Sequence, residues 1–186
     1  MRADARANHD RVLAVAGTVV AQHGVEVSMR DIARRADVGL ATLLRHFPTR
    51  EALLEALLRT RFDALAARAA EVRTAHPPRE ALVAWLRDFV ACMTDYRGVV
   101  TSLVQAIEDP RSALHTSCVG MRAAGTELLT RAQEAHLARA DLDGADLFAL
   151  ASSLAWLADQ PGHEQRAGHL FDVVMSAVLI DGGPGA

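Results

Sequence analysis

Between Ser28 and Phe47 the chain reads SMRDIARRADVGLATLLRHF: a short helical stretch, a break at Asp37-Val38-Gly39, and a second short helical stretch. Helices this short do not hold alone in water, so each must bury a face against something else. The segment therefore dictates its neighbours as well as itself. A suitable surface comes just before it. Val12, Leu13, Ala16, Val19 and Val20 recur at three- and four-residue steps on one face of a helix expected from Asn8, and Gly24 stops that helix. Residues 1–7 are expected to be a frayed, Arg-bearing arm. Ser28 stands at the cap position of the next helix, with Asp31 near its positive end. Ile32, Ala33 and Ala36 supply the inner face. A third helix is expected over Leu40–His46, ended by Phe47-Pro48.

Thr49 caps a fourth helix expected to run to about Thr74, roughly 39 Å long. That length suits a tie between a small head and a separate body. His76-Pro77-Pro78 ends it. Further helices are expected near Arg79–Asp95, Gly98–Ile107, Pro110–Ala138, Gly144–Ala158 and Glu164–Ile180, and the final DGGPGA is expected to be disordered. Composition agrees. Apolar residues make up 51% of the chain but aromatics only 4%, so Leu, Ala and Val must do the packing, and these with Arg favour helix over strand. No strand pattern or internal repeat is visible. The fold class is all-α.

Several function classes fall away. The most apolar window, Leu147–Ala158, is too short to span a bilayer, and no signal-peptide pattern opens the sequence. Two cysteines, Cys92 and Cys118, make no disulfide framework. A soluble, cytoplasmic protein is expected. No G-x-S-x-G, G-x-G-x-x-G or P-loop is present. His163-Glu164 starts like a zinc-protease motif, but the next histidine is His169, too far on to share a helix face. No metal or other cofactor is expected. The net charge of −3 is unevenly spread: residues 1–60 hold nine Arg against seven acids, and residues 61–186 hold eleven Arg against sixteen. A mildly basic head thus precedes an acidic body.

Two short helices joined by a tight turn are how a helix-turn-helix offers side chains to the major groove of double-stranded DNA. Thr42 and Arg45 on the second helix can reach base edges or phosphates, and arginine can read guanine through two hydrogen bonds. Leu40 and Ala41 at its tip suit thymine methyls. Ser28 and Arg30 are placed to hold phosphates. Arg34, Arg35 and Arg59 read as solvated surface.

Val12-Leu13, Gly24, Ser28, Ile32-Ala33, Ala36, Val38, Thr42-Leu43, His46-Phe47 and Arg50-Glu51-x-Leu53 fall in one register. Over about residues 8–60 this pattern resembles the tetracycline-repressor (TetR) family of bacterial regulators. Four positions depart from it: Asp37 replaces a usual Gly, Gly39 a Ser/Thr cap, Ala41 a Gly, and Leu44 a Tyr that commonly touches the DNA backbone. The resemblance places His46 and Arg50 at phosphates. Trp85, Arg97-Gly98, Glu108-Asp109-Pro110, Cys118, Met121–Gly125, Arg131–Gln133 and Ala155–Ala158 are similar to the subgroup with an SbtR-type C-terminal domain. It implies a DNA-binding domain over 8–54, with the helix-turn-helix at about 28–47, and a helical ligand-binding and dimerisation domain over 55–181.

Within that second domain, Trp85, Phe89, Cys92, Met93 and Leu103 are candidates for lining an effector pocket. So are His115, Cys118, Met121, Arg122 and Trp156. An inward-facing Arg122 would want an anion. The same side chains suit plain core packing. The expected protein is a homodimeric repressor of a near-palindromic operator, released by a small molecule, with the dimer seam in the last two long helices. A helical-bundle enzyme and a ligand-free architectural or protein-binding module are the competing classes.

Overall fold

The computed structural model describes residues 2–158, 160 and 162–180. Among them are ten α-helices: α1 (Arg2–His23), α2 (Met29–Arg35), α3 (Leu40–His46), α4 (Arg50–Ala75), α5 (Pro78–Asp95), α6 (Arg97–Ser102), α7 (Val104–Glu108), α8 (Ala113–Glu134), α9 (Gly144–Ala158) and α10 (Ala167–Val178). A single 3-10 turn, Glu164–Arg166, precedes α10. The expected all-α class holds. The final six residues lie outside the described residues.

Several local expectations are refined. The first helix starts at Arg2, not Asn8, because Arg-Ala-Asp-Ala-Arg-Ala contains only residues a helix tolerates. The stretch expected as one helix over 98–107 is two, divided at Leu103, whose φ of −114° and ψ of 17° leave the helical region. The helix expected to reach Ala138 ends at Glu134. There His136 takes φ 56°, Leu137 N–H donates to the Ala132 carbonyl and His136 N–H to that of Gln133. This is a Schellman closure built without glycine. The freed chain then pairs Ala138 with Leu179 in one antiparallel bridge.

The chain divides into two compact units. The first takes Met1–Arg61 and Asp95–Thr116. Its core joins Val12, Ala16 and Val20 of α1 to Ile32 and Ala33 of α2, Leu43 of α3, and Leu53, Leu57 and Leu58 of α4. α6 and α7 group with these helices. Tyr96 donates its hydroxyl hydrogen to the Gly17 carbonyl (3.3 Å), and the Arg61 guanidinium lies over the Tyr96 ring. Gly24, at φ 75°, turns the chain after α1 in a conformation that L side chains resist.

The second unit takes Phe62–Thr94 and Ser117–Ala186. α4 and α5 each have residues in both units. Trp85 of α5 is fully buried and organises the second core. Its Nε1–H donates to the Leu65 carbonyl of α4 at 2.7 Å, its ring stacks on Phe89, and its edge meets Phe148 of α9. α8 passes so close that a Cβ on Gly125 would lie 2.5 Å from Trp85 Cη2 and 2.9 Å from Phe148 Cζ. α9 starts from a reciprocal cap: Asp146 N–H donates to the Asp143 carboxylate and Asp143 N–H to that of Asp146.

Gly125→Ala sets two effects against each other. Alanine gains about 1 kcal/mol of helix propensity over glycine. Overpacking a filled core costs about 1–3 kcal/mol. Trp85 is held by its hydrogen bond and two neighbouring rings, so it has no easy retreat, and overpacking wins. Urea unfolding should show net destabilisation of up to about 2 kcal/mol in the native background. In a Trp85→Leu background the same change should be neutral or stabilising. An equal effect in both backgrounds would show that the two residues do not compete for space.

Candidate nucleic-acid interface

The turn between α2 and α3 explains one departure from the family pattern. Val38 N–H donates to the Ala33 carbonyl and Asp37 N–H to that of Arg34, with Asp37 at φ 52°. This too is a Schellman closure, and its left-handed position is one that glycine fills without strain. Asp is among the few other residues that enter this region readily. Arg11 of α1 adds a tether, with Nη2 at 3.5 Å from the Asp37 carbonyl oxygen. Gly39 then accepts from the N–H groups of Thr42 and Leu43 and opens α3. Ser28 occupies the cap position of α2, but its hydroxyl makes no capping bond. Thr49 does cap α4, accepting from Ala52 N–H at 3.1 Å.

α3 divides cleanly. Leu43, with the following Phe47, points into the core, each at most 2% exposed. Ala41, Leu44 and Arg45 are exposed, while Leu40, Thr42 and His46 are half-buried. Spacings of three and four put Ala41, Leu44 and Arg45 on one outward face. Ser28 and Arg30, at the start of α2, are exposed as well. Arg34 pairs with Asp31 at 2.8 Å, as suits a surface residue.

Arg50 is ion-paired. Its Nη1 lies 3.2 Å from Glu26 and its Nε 3.9 Å from Glu51. Glu51 is held below the usual carboxylate range by its own backbone N–H and then by Thr49. His46 packs edge-on to His9 of α1 at 5.9 Å, and His9 lies 5.0 Å from the Phe47 ring. Sequence reading passed over His9 and Arg11. The signal was available, since His9 precedes the apolar position Val12 by three residues and so shares its side of α1.

The ten pocket candidates do not share one environment. Leu103 and His115 belong to the first unit and the other eight to the second. Trp85, Phe89 and Met121 are buried in packed core. Cys92, Met93 and Cys118 are half-buried. Burial pushes the Cys118 thiol up, against a smaller lowering by Arg122. His115 Nδ1 is 2.8 Å from the Ile107 carbonyl oxygen. Arg122 and Trp156 are the two exposed candidates. Arg122 is exposed, its guanidinium lying over the Phe148 ring at 5.5 Å, so it needs no buried anion. Trp156 is 58% exposed and, with Ser152, Ser153 and Leu157, lines an open depression of about 470 Å³. Among the described residues no His, Cys, Asp and Glu cluster could hold a metal, and no helix is long and apolar enough to cross a membrane.

Comparison with known proteins matches both parts of the chain. Residues 12–57 match the tetR family of bacterial regulatory proteins. Residues 77–178 match the C-terminal domain of SbtR-like transcriptional regulators. Among solved structures, a TetR transcriptional regulator of Streptomyces coelicolor is 32% identical, with 92% of this chain and 98% of that one aligned at a TM-score of 0.76. A TetR transcription regulatory protein of Mycobacterium vanbaalenii is 35% identical, with 96% and 99% aligned at 0.74. A protein of Saccharomonospora viridis solved with choline shares the fold at 22% identity, with 93% and 98% aligned at a TM-score of 0.68. None of the curated proteins matches.

Proposed function

The chain belongs to the TetR family of DNA-binding transcriptional regulators, and from that premise we propose that it is a homodimeric, ligand-responsive repressor of a near-palindromic operator. Its members are regulators, and the chain is not an enzyme. The single observation that carries the DNA reading is the exposed Ala41–Leu44–Arg45 face, presented by a helix whose opposite side is locked into the core. A reading element must be both free to solvent and unable to shift.

In this reading residues 8–54 form the DNA-binding domain and residues 55–181 the sensing and dimerising one. Arg45 addresses guanine and Thr42 an adjacent base or phosphate. Ser28, Arg30, His46 and Arg50 hold the backbone, and such contacts fix position without reading sequence. Glu26 does not prevent this role for Arg50. The carboxylate is 83% exposed, and an exposed pair is worth only about 0–1 kcal/mol, so a phosphate can replace it.

Exposed Leu150 and Trp156 on α9, and Val173 on α10, support a second copy covering these helices. A two-fold dimer would set its heads about one DNA turn, roughly 34 Å, or a multiple apart. An effector shifts the dimer only through unequal affinity for its two forms. Its site is sought near half-buried Cys92, Met93 and Cys118, because Trp85 and Phe89 already fill their surroundings. α4 runs unbroken from Arg50 to Ala75 and is the covalent route between sensing and reading. A chromosomal operator implies a cytoplasmic protein.

Selection of bound fragments from a random DNA pool tests class and symmetry together. The expected outcome is an inverted repeat whose half-site centres are one turn or a multiple apart, bound by a species of twice the chain mass in sedimentation. A pool that yields no enriched sequence, or a monomer on a single half-site, would overturn the reading.

A further inference from the structure

We propose that Leu44 is a specificity residue that reads the 5-methyl group of a thymine in each operator half-site. The inference rests on the DNA reading above and adds a base that no family pattern supplies, since this chain departs from the pattern at that position. Leu44 is 39% exposed, on the outer face of α3, beside Arg45 and one turn from Ala41. It is not needed to hold α3 down: Leu43 and Phe47 do that from the other side. A leucine has no donor or acceptor for a phosphate. In the major groove the apolar feature that distinguishes one base from the others is the thymine methyl. Exposed Arg30, Arg35 and Arg45 lie nearby in sequence on α2 and α3 and bring this face to a polyanion. Adjacent Cα atoms are about 3.8 Å apart and successive bases about 3.4 Å, so the thymine falls within one or two base pairs of the guanine addressed by Arg45.

The test uses the full-length protein and the operator recovered from the random pool. Each thymine of a half-site is replaced in turn by deoxyuridine, which removes the methyl and keeps every hydrogen-bonding group. One position should weaken binding by about fourfold, the value of one buried methyl. The Leu44→Ala protein should bind the natural operator more weakly and lose its sensitivity to uridine at that same position only. Its thermal unfolding should match wild type, because the side chain is exposed. A wild-type protein indifferent to uridine everywhere, a half-site without thymine near the guanine, or a Leu44→Ala protein that stays equally sensitive would each overturn the Leu44 assignment alone. Failure to recover any operator would defeat the DNA reading, and this assignment with it.

Discussion

The protein carrying Thr42→Ala and Arg45→Ala together is expected to lose operator binding while unfolding at the same temperature as wild type. Arg45 is exposed and Thr42 half-buried, and neither belongs to the packed core of the head. Surface changes of this kind usually move stability by no more than about 0.5 kcal/mol. Binding is another matter. A two-hydrogen-bond contact between arginine and guanine discriminates by about 1–3 kcal/mol, and a two-fold dimer makes it twice. The combined loss is about 2–6 kcal/mol, from roughly thirtyfold to beyond ten-thousandfold. Fluorescence anisotropy on a labelled operator, at one fixed salt concentration, measures the loss, and a thermal melt checks the fold. Undiminished binding by the double variant would remove these two residues from the interface and leave the fold assignment standing.

Trp85→Ala should be the most damaging single truncation in the second unit. The side chain is 0% exposed, donates to the Leu65 carbonyl and touches Phe89 and Phe148. Removing a buried Trp costs about 3–5 kcal/mol, because rings held from several directions cannot close the gap. For a chain of this length each kcal/mol lowers the melting temperature by about 2–4 °C, which puts the expected drop at about 6–20 °C. Far-UV circular dichroism reports it. A drop of less than about 3 °C would mean that Trp85 does not organise the core.

The head was legible because its signals are local. Gly24, the Thr49 cap, Pro48 and the apolar steps of α1 each act within one or two turns, and the observed ends of α2, α3 and α4 lie within a residue or so of those expected. Even where the pattern departs, the reason is local: Asp37 sits at a left-handed position where glycine is usual. The body was less legible. Arg122 and His115 were both candidates for lining one effector pocket. The structure exposes Arg122 over Phe148 and sets His115 in the other unit. Trp156 faces outward on α9, where it lines an open depression. Spacing says which residues share a helix face, but not which neighbour that face will meet.

The sequence by itself therefore determined the short helices of the head, the Thr49 cap and the breaks at Gly24 and Asp37–Gly39, since hydrogen-bond geometry and periodicity are properties of a few consecutive residues. Tertiary structure alone decided that α6 and α7 group with the first compact unit, where Tyr96 meets Gly17, 79 residues away in sequence. It alone decided that Gly125 lies against the Trp85 ring, and that Leu44 is part-exposed on the outer face of α3. Burial is the physical reason. Whether a side chain is core, contact or surface depends on atoms brought to it from distant parts of the chain, and no local pattern encodes their arrival.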